Sequence, residues 1–233
     1  AASDVYKRQI LWCELTADLT QKLKQLSQQA DVTLFITLVS AYALILSRYS
    51  GHSDVVLGTT FANRNHWKLE PLLGSLLNIL ALRFDLSRND NFPDILKQAK
   101  TVIMAAFAHQ DIPFGVIAPI FQPDTPRTTP LFRTVFSFLG ELSRDELQLA
   151  GADVCFMEDV HGEAMFPDLY PTVWERQTEQ GLALMSYWQF KQGFMPTETV
   201  SHMIEDFKIL LEAVAHDPGL SLASVFPCEP VTA

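Results

Sequence analysis

The chain is 233 residues long, 48% hydrophobic and only 19% charged, with 17 basic against 27 acidic side chains. That charge share falls below the roughly 25% usual for soluble domains, which excludes disorder as the dominant state. A formal charge of -10 argues against nucleic acid, whose phosphates require a basic footprint, and against docking on anionic membrane. Cys13, Cys155 and Cys228 are odd in number and far apart, so the expectation is a reducing, cytoplasmic setting without a disulfide framework. No apolar run reaches the roughly 18 residues of a membrane span.

Ala1–Gln9 reads as a non-native-looking lead-in, because no apolar stretch of a signal peptide follows its basic residues. Leu19, Leu23, Leu26 and Ala30 share one helical face, with Thr16 as the cap. From Thr33 to Ser50 the chain is apolar nearly all round, and this predicts a helix buried on most sides that stops at Gly51. Val55–Ala62 reads as a strand entering a loop at Asn63-Arg64-Asn65. Asn78–Leu86 alternates, with Leu80, Leu82, Phe84 and Leu86 on one face and Arg83 and Asp85 on the other. Pro93 and Asp94 suit a first helical turn. The helix they open has a period near 3.6 from Phe92 to Phe107, runs into His109-Gln110-Asp111 and is ended by Pro113. A short helix follows through Ile120.

Pro123–Arg127 is a loop by its punctuation. Arg133–Leu139 and Leu182–Phe190 read as strands, and Ala152–Glu158 as a weaker one. Asp159–Gly181, with two prolines and two glycines, reads as a long, partner-facing excursion. A last helix spans Thr197–Ala215, Pro218-Gly219 closes it, and residues 227–233 resemble the start of a linker. This alternation predicts an α/β (α+β layered) domain.

Few motifs of known chemistry are present. His161-Gly162-Glu163 and Pro227-Cys228 are similar to parts of a zinc-deaminase signature, but the second cysteine is missing, so no metal site is expected. His202 and Asp206 are four apart on one helix. Because Met203, Ile204 and Phe207 own the apolar side, the expectation there is an exposed ion pair. His109 ends a helix, where the negative end of the dipole favours histidine without any catalysis. Tyr170, Trp174 and Trp188 are expected in the core or at a lobe contact.

Taken in order, however, the short motifs resemble the condensation domains of nonribosomal peptide synthetases. They are Val32-Thr33-Leu34-Phe35, Tyr49-Ser50-Gly51, Asp54-Val55-Val56-Leu57-Gly58-Thr59 and Ala62-Asn63-Arg64. Next come Leu73-Gly74-Ser75-Leu76-Leu77-Asn78 with Leu82-Arg83, then His109-Gln110-Asp111-Ile112-Pro113-Phe114 and Pro130-Leu131-Phe132. The likeness runs over roughly residues 15–225 and matches the C-terminal half of the family's domain. It implies one lobe of a chloramphenicol-acetyltransferase-like two-lobe fold, a mixed sheet packed by helices, with a substrate tunnel between the lobes. On this reading residues 10–226 form the lobe, 1–9 the lead-in and 227–233 the inter-domain linker.

The implied chemistry of the intact parent is amide formation between two carrier-bound acyl or aminoacyl thioesters. No cofactor would be bound directly, because the phosphopantetheine arms belong to the peptidyl or acyl carrier proteins. The other implied partners are the missing N-terminal lobe and a neighbouring adenylation domain. The family's catalytic H-H-x-x-x-D-G motif lies in its first half, and this chain has no His-His pair. No catalytic residue is therefore carried over, and the chain alone is expected to be inactive. Gly74, Asn78, His109 and Asp111 are the candidates for the tunnel or lobe interface. Beside that role, Asn78 could satisfy a turn, His109 and Asp111 could cap the helix and fix the Pro113 turn, and Arg83 could pair with Asp85. The alternatives are a free-standing, non-catalytic carrier-binding module, or an epimerisation or cyclisation domain of the same fold.

Overall fold

The computed structural model describes residues 8–64, 66–74, 76–87, 91–121, 131–141, 167–191 and 193–226. Its elements are β1 (Arg8–Leu15), α1 (Ala17–Gln29), α2 (Leu34–Ser50), β2 (Asp54–Phe61), β3 (Asn78–Asp85) and α3 (Phe92–Ala108). They continue with α4 (Phe114–Phe121), β4 (Val135–Glu141), β5 (Leu169–Thr178), β6 (Gly181–Lys191), α5 (Thr197–His216) and α6 (Leu222–Val225). The strands form one six-stranded sheet in the order β1-β6-β5-β4-β2-β3. The β2–β4 and β4–β5 pairs are parallel and the others antiparallel, so the sheet is mixed, as expected.

Local chemistry accounts for most of the helices. The Thr16 and Thr33 hydroxyls accept hydrogen bonds from Leu19 and Ile36 N–H and so cap α1 and α2. Gly51 closes α2 at φ +68°, a left-handed conformation that glycine adopts without strain. Asn91 caps α3, with a proline in its first turn. Two hydroxyl residues of α2, Thr37 and Ser40, are buried, and their hydroxyls are satisfied internally. Ser27 Oγ and Thr37 Oγ1 bond to each other at 2.7 Å, and Ser40 Oγ donates to the Ile36 carbonyl at 2.6 Å.

The pairing register divides the sheet's side chains into two sets. On one face lie Cys13 and Leu15, Val55 and Leu57, Leu82 and Phe84, Phe136, Leu169 and Val173, Leu184, Trp188 and Phe190, all buried in the common core. Helices α1, α2, α3 and α5 pack on this face, with Tyr42 of α2 and Phe207 of α5 each edge-on to Trp188. The opposite face carries Thr60, Ser137, Thr172, Trp174, Tyr187 and Trp12, by the alternation of a pleated strand.

Several expectations require correction. The long excursion Asp159–Gly181 contains a strand, since Leu169–Thr178 is β5 and lies in the middle of the sheet. Pro171 disguises it, because proline lacks a ladder donor and normally marks an edge. Here Pro171 faces Trp188 of β6, and the continuous ladder with β4 starts one residue later at Thr172. Gly181, at φ +115°, begins β6 at the hairpin turn. Strand β1 also went unread, and the sheet takes up Arg8 and Gln9, which pair with Lys191 and Phe190. Pro113 does not end α3: the helix stops at Ala108 with His109 as its C-cap, and Pro113 instead precedes α4.

Two ion pairs also differ from expectation. Asp206 pairs with Arg48 of α2 at 3.1 Å and accepts from the Tyr49 hydroxyl at 3.0 Å, rather than forming an exposed pair with His202. Arg83 meets Asp54 across the β2–β3 pair in a two-pronged contact of 2.9 and 2.7 Å. Asp54 is a diagonal cross-strand neighbour of Arg83, which lies opposite Val56, and such diagonals are within reach of a long side chain. Ala152–Glu158, His161, Glu163, Cys155 and Cys228 lie outside the described residues.

Asp168, inside the supposed excursion, fastens three strands together. Its carboxylate accepts from Arg133 Nε at 2.5 Å, just before β4, and from Lys191 Nζ at 2.8 Å, at the end of β6. Burial pushes this carboxyl up, but the hydrogen bonds from Lys191 and Arg133 outweigh it and hold it below the usual carboxylate range. A depressed carboxyl contributes stability in full above its unfolded pKa of about 4 and loses it as pH falls through the folded value. Asp168→Asn is therefore expected to lower the urea midpoint at neutral pH, with the gap to wild type closing on acidification below about pH 4. A gap that stays constant with pH would remove this role. Asp206→Ala, which strands Arg48 and Tyr49, is expected to cost about 1–3 kcal/mol in the same assay.

Candidate functional site

Motifs far apart in the sequence meet at the start of β3. Asn78, its first residue, lies opposite Phe61, the last of β2. The Asn78 Nδ2 donates to the carbonyls of Gln110 at 2.8 Å and Ile112 at 2.9 Å. Its Oδ1 accepts from the N–H groups of Ile79 at 2.9 Å and Phe114 at 3.1 Å. An amide side chain has two donor hydrogens and two lone pairs, so its capacity is filled. This one side chain ties the glycine-to-asparagine motif of β3 to the His109–Phe114 turn.

Within that turn His109 caps α3 through its N–H, and its carbonyl accepts from Ile112 N–H at 3.2 Å. The side chains of His109 and Asp111 are exposed. Gln110 contributes a buried side-chain oxygen that has no donor among the described residues. The turn thus shows water two of the residues that sequence reasoning singled out, while Asn78 behind it holds their backbone.

Gly74 belongs to a second clamp. The Arg64 guanidinium donates to the carbonyls of Gly74 at 3.0 Å and Glu70 at 3.2 Å, and also to that of Leu69. Five donors in a fixed fork suit several carbonyls at once. Gly74 sits at φ +144° with open space around the position of a Cβ, so the backbone angle, not crowding, requires glycine. The motif Ala62-Asn63-Arg64 therefore organises the β2–β3 connection, and Asn63 enters it at a positive φ of 52°.

A third junction is apolar. A Cβ on Gly58 would lie 2.3 Å from the Phe132 ring, so the ring rests directly on the β2 backbone. Phe114 packs against Phe132 at a centroid distance of 5.0 Å. Sequence reasoning named all three within motifs without a reason for Gly58, because the reason is a ring 74 residues away. Around these clamps large apolar side chains face water. Trp67, Leu72, Leu73 and Leu77 belong to the β2–β3 connection, and Ile112, Val116, Ile120 and Phe121 to α4 and its approach. Leu73 is fully exposed.

No reactive constellation accompanies this scaffold among the described residues. Among the described residues no group of three or more His, Cys, Asp or Glu side chains is placed to hold a metal ion. Burial pushes the Cys13 thiol up, away from the nucleophilic thiolate. The junctions do something else: they fix two loops and an apolar rim at one end of the sheet.

A family model described as Condensation domain matches residues 1–230. The chain belongs to the condensation-domain family. It is 34% identical over 202 residues to malpibaldin synthetase of Mortierella alpina, covering 85% of this chain and 4% of that protein. It is 31% identical over 216 residues to the phosphinothricin tripeptide synthetase PhsC of Streptomyces viridochromogenes, covering 91% of this chain and 19% of that protein. The condensation-domain chain thus spans less than a fifth of either synthetase. Among solved structures, the X-domain from teicoplanin biosynthesis superposes with a TM-score of 0.80 at 21% identity, covering 96% of this chain and 50% of that one. The condensation domain of the monacolin K polyketide synthase gives 0.76 at 18% identity, covering 94% and 49%. Both show the same fold.

Two substitutions test the junctions. Asn78→Ala removes the partner of two carbonyls and two N–H groups, and about 1–3 kcal/mol of lost stability is expected by urea unfolding. Asn78→Asp, which presents a carboxylate to two carbonyl oxygens, is expected to be worse. Gly58→Ala forces the Phe132 ring aside and is expected to cost about 1–3 kcal/mol, partly recovered in a Gly58→Ala, Phe132→Leu double variant. Additive effects of the two changes would disprove the contact.

Proposed function

We propose that this chain is the C-terminal lobe of a condensation domain. With an upstream lobe, it would join two carrier-bound thioesters through an amide bond. The coverage carries this reading: nearly all of the chain superposes on half of a condensation-domain or X-domain structure. The exposed apolar rim on the β2–β3 connection and α4 supports it, because large exposed apolar patches commonly mark a contact surface.

In the proposed reaction the acceptor amine attacks the carbonyl carbon of the donor thioester. The C–N bond forms, the C–S bond breaks, and the proton released from nitrogen ends on the departing pantetheine thiolate. Holding both thioesters in line turns an encounter into an effectively intramolecular step. A histidine beside the amine would assist proton transfer, and the upstream lobe would supply it. This chain's share is one wall of the tunnel and a docking face, with Gly74, Asn78, His109 and Asp111 shaping the loops at its mouth. The phosphopantetheine arms arrive on peptidyl or acyl carrier proteins, and an adenylation domain would be the neighbour that loads them.

The decisive experiment compares the chain alone with the chain joined to a first lobe that bears H-H-x-x-x-D-G. Each is assayed for amide formation between loaded carrier proteins. The expected result is product only from the joined protein. Product from the isolated chain, above the uncatalysed background, would overturn the reading and direct attention to His109 or His202.

A further inference from the structure

After α5 the chain turns back on itself. The N–H of Asp217 closes the helix on the Ala213 carbonyl at 2.9 Å. The Asp217 carboxylate accepts from Gly219 N–H at 3.0 Å and tightens the turn at Pro218-Gly219. Ser221 then forms an antiparallel bridge with Asn91, the N-cap of α3. Leu222 and Val225 of α6, and Phe226 after them, are half-buried against the common core. At Phe226 the chain has reached Arg48 of α2, whose guanidinium carbon lies 4.5 Å from the ring centroid. Arg48 is also the side chain that pairs with Asp206 of α5 at 3.1 Å. At a rise of about 1.5 Å per residue, Asp206 lies roughly 15 Å back from the end of α5 at His216. Residues 217–226 therefore form a strap that doubles back along α5 and meets α3 and α2 on the way.

The strap has a light hold on the fold. No residue of α6 is fully buried, and a four-residue helix is too short to stand by itself. Segments with few buried contacts open locally, without global unfolding. Arg48 is placed to prevent that. Asp206 takes the Nε edge of the guanidinium and fixes its plane, which leaves a face of the planar ion to the Phe226 ring. Asp206 also accepts from the Tyr49 hydroxyl, so the anchor behind Arg48 is itself held. The Arg48 side chain is 22% exposed, and a partly desolvated cation stacks on an aromatic ring more strongly than one in open water.

We propose that residues 217–226 are a two-state strap, that Arg48 is its lock through Phe226, and that the lock fixes the point from which the chain leaves the lobe. The proposal rests on the reading of the chain as a condensation-domain lobe, and it adds how the adenylation neighbour would be held. With the stack made, that neighbour is tethered on the helical side of the sheet, at the contact of α2 with α5. With the stack broken, the anchor retreats to the end of α5. The tether then gains about ten residues, or roughly 33 Å of reach at full extension. A longer tether lowers the effective concentration of whatever it carries. Arg48 is thus a positioning residue, acting on the neighbour through Phe226.

The first test is hydrogen exchange, read by mass spectrometry on the complete 233-residue chain. Phe226→Ala and Arg48→Lys are expected to speed exchange in residues 219–226 about tenfold, the scale of one cation–π contact. Exchange in α2 and in residues 197–210 should stay as in wild type. Phe226→Trp, which keeps an aromatic face, is expected to hold the strap at the wild-type rate. Unchanged strap exchange in Phe226→Ala overturns the lock, and so does a rise spread equally over α2 and α5, which makes the ring ordinary core packing. The second test takes a protein in which the adenylation domain follows this chain and measures inter-domain distances by small-angle X-ray scattering. Phe226→Ala is expected to broaden the distance distribution and Phe226→Trp to leave it narrow. Identical distributions in wild type and Phe226→Ala overturn the positioning role. Failure of amide synthesis in the joined protein would count against the lobe reading and leave the exchange result standing.

Discussion

A mixed sheet with α1, α2, α3 and α5 packed on one face is the constraint on which the rest depends. Strand pleating sends alternate residues to opposite faces, so every strand must serve two environments. The inner set, from Cys13 through Leu57, Phe84 and Phe136 to Trp188, is apolar and closes a core with α2 at its centre. The outer set is mixed, with hydroxyls in the middle, aromatics towards β1 and the Arg83–Asp54 pair on β3. That split accounts for the chain's high apolar share, and no single helix among the described residues is long and apolar enough to cross a membrane.

The residues of the short sequence motifs act here chiefly on backbone. Asn78 and Arg64 direct all or most of their polar groups at carbonyls and N–H groups of neighbouring loops. Loop carbonyls that leave water need partners, and a side chain that meets several at once sets the loop's path. Gly58 and Gly74 serve the same end by different means, one by making room for the Phe132 ring and the other by adopting φ +144°. Preorganised loops at one end of a sheet are a suitable frame for a tunnel whose opposite wall lies on another lobe.

The carboxylates follow a similar logic deeper in the fold. Asp168 and Asp206 each receive two donors from other elements, and both draw distant segments together. Removing one donor partner leaves a charge with too few contacts, which is why such groups are sensitive points. Neither could be matched to its partners in the sequence. Asp206 looked like a mate for His202, four residues away on its own helix, because local spacing offers no sight of Arg48 on α2.

Reading the residues in order was enough for α1 to α5, for β2, β3, β4 and β6, for a layered α/β class and for the family, but not for the short α6. Those conclusions rest on local signals: caps at Thr16 and Thr33, the Gly51 stop, period 3.6 in α3 and α5, alternation in β3. Strands β1 and β5 escaped because their outward residues, Trp12, Tyr170 and Trp174, are as large and apolar as inward ones, and Pro171 interrupts β5. What the Asn78 amide binds and why position 58 must be glycine became visible only with the strand order β1-β6-β5-β4-β2-β3. Capping and periodicity act between residues within about four of one another. Register and order join residues more than a hundred apart, such as Trp12 and Tyr187, and no local preference encodes them.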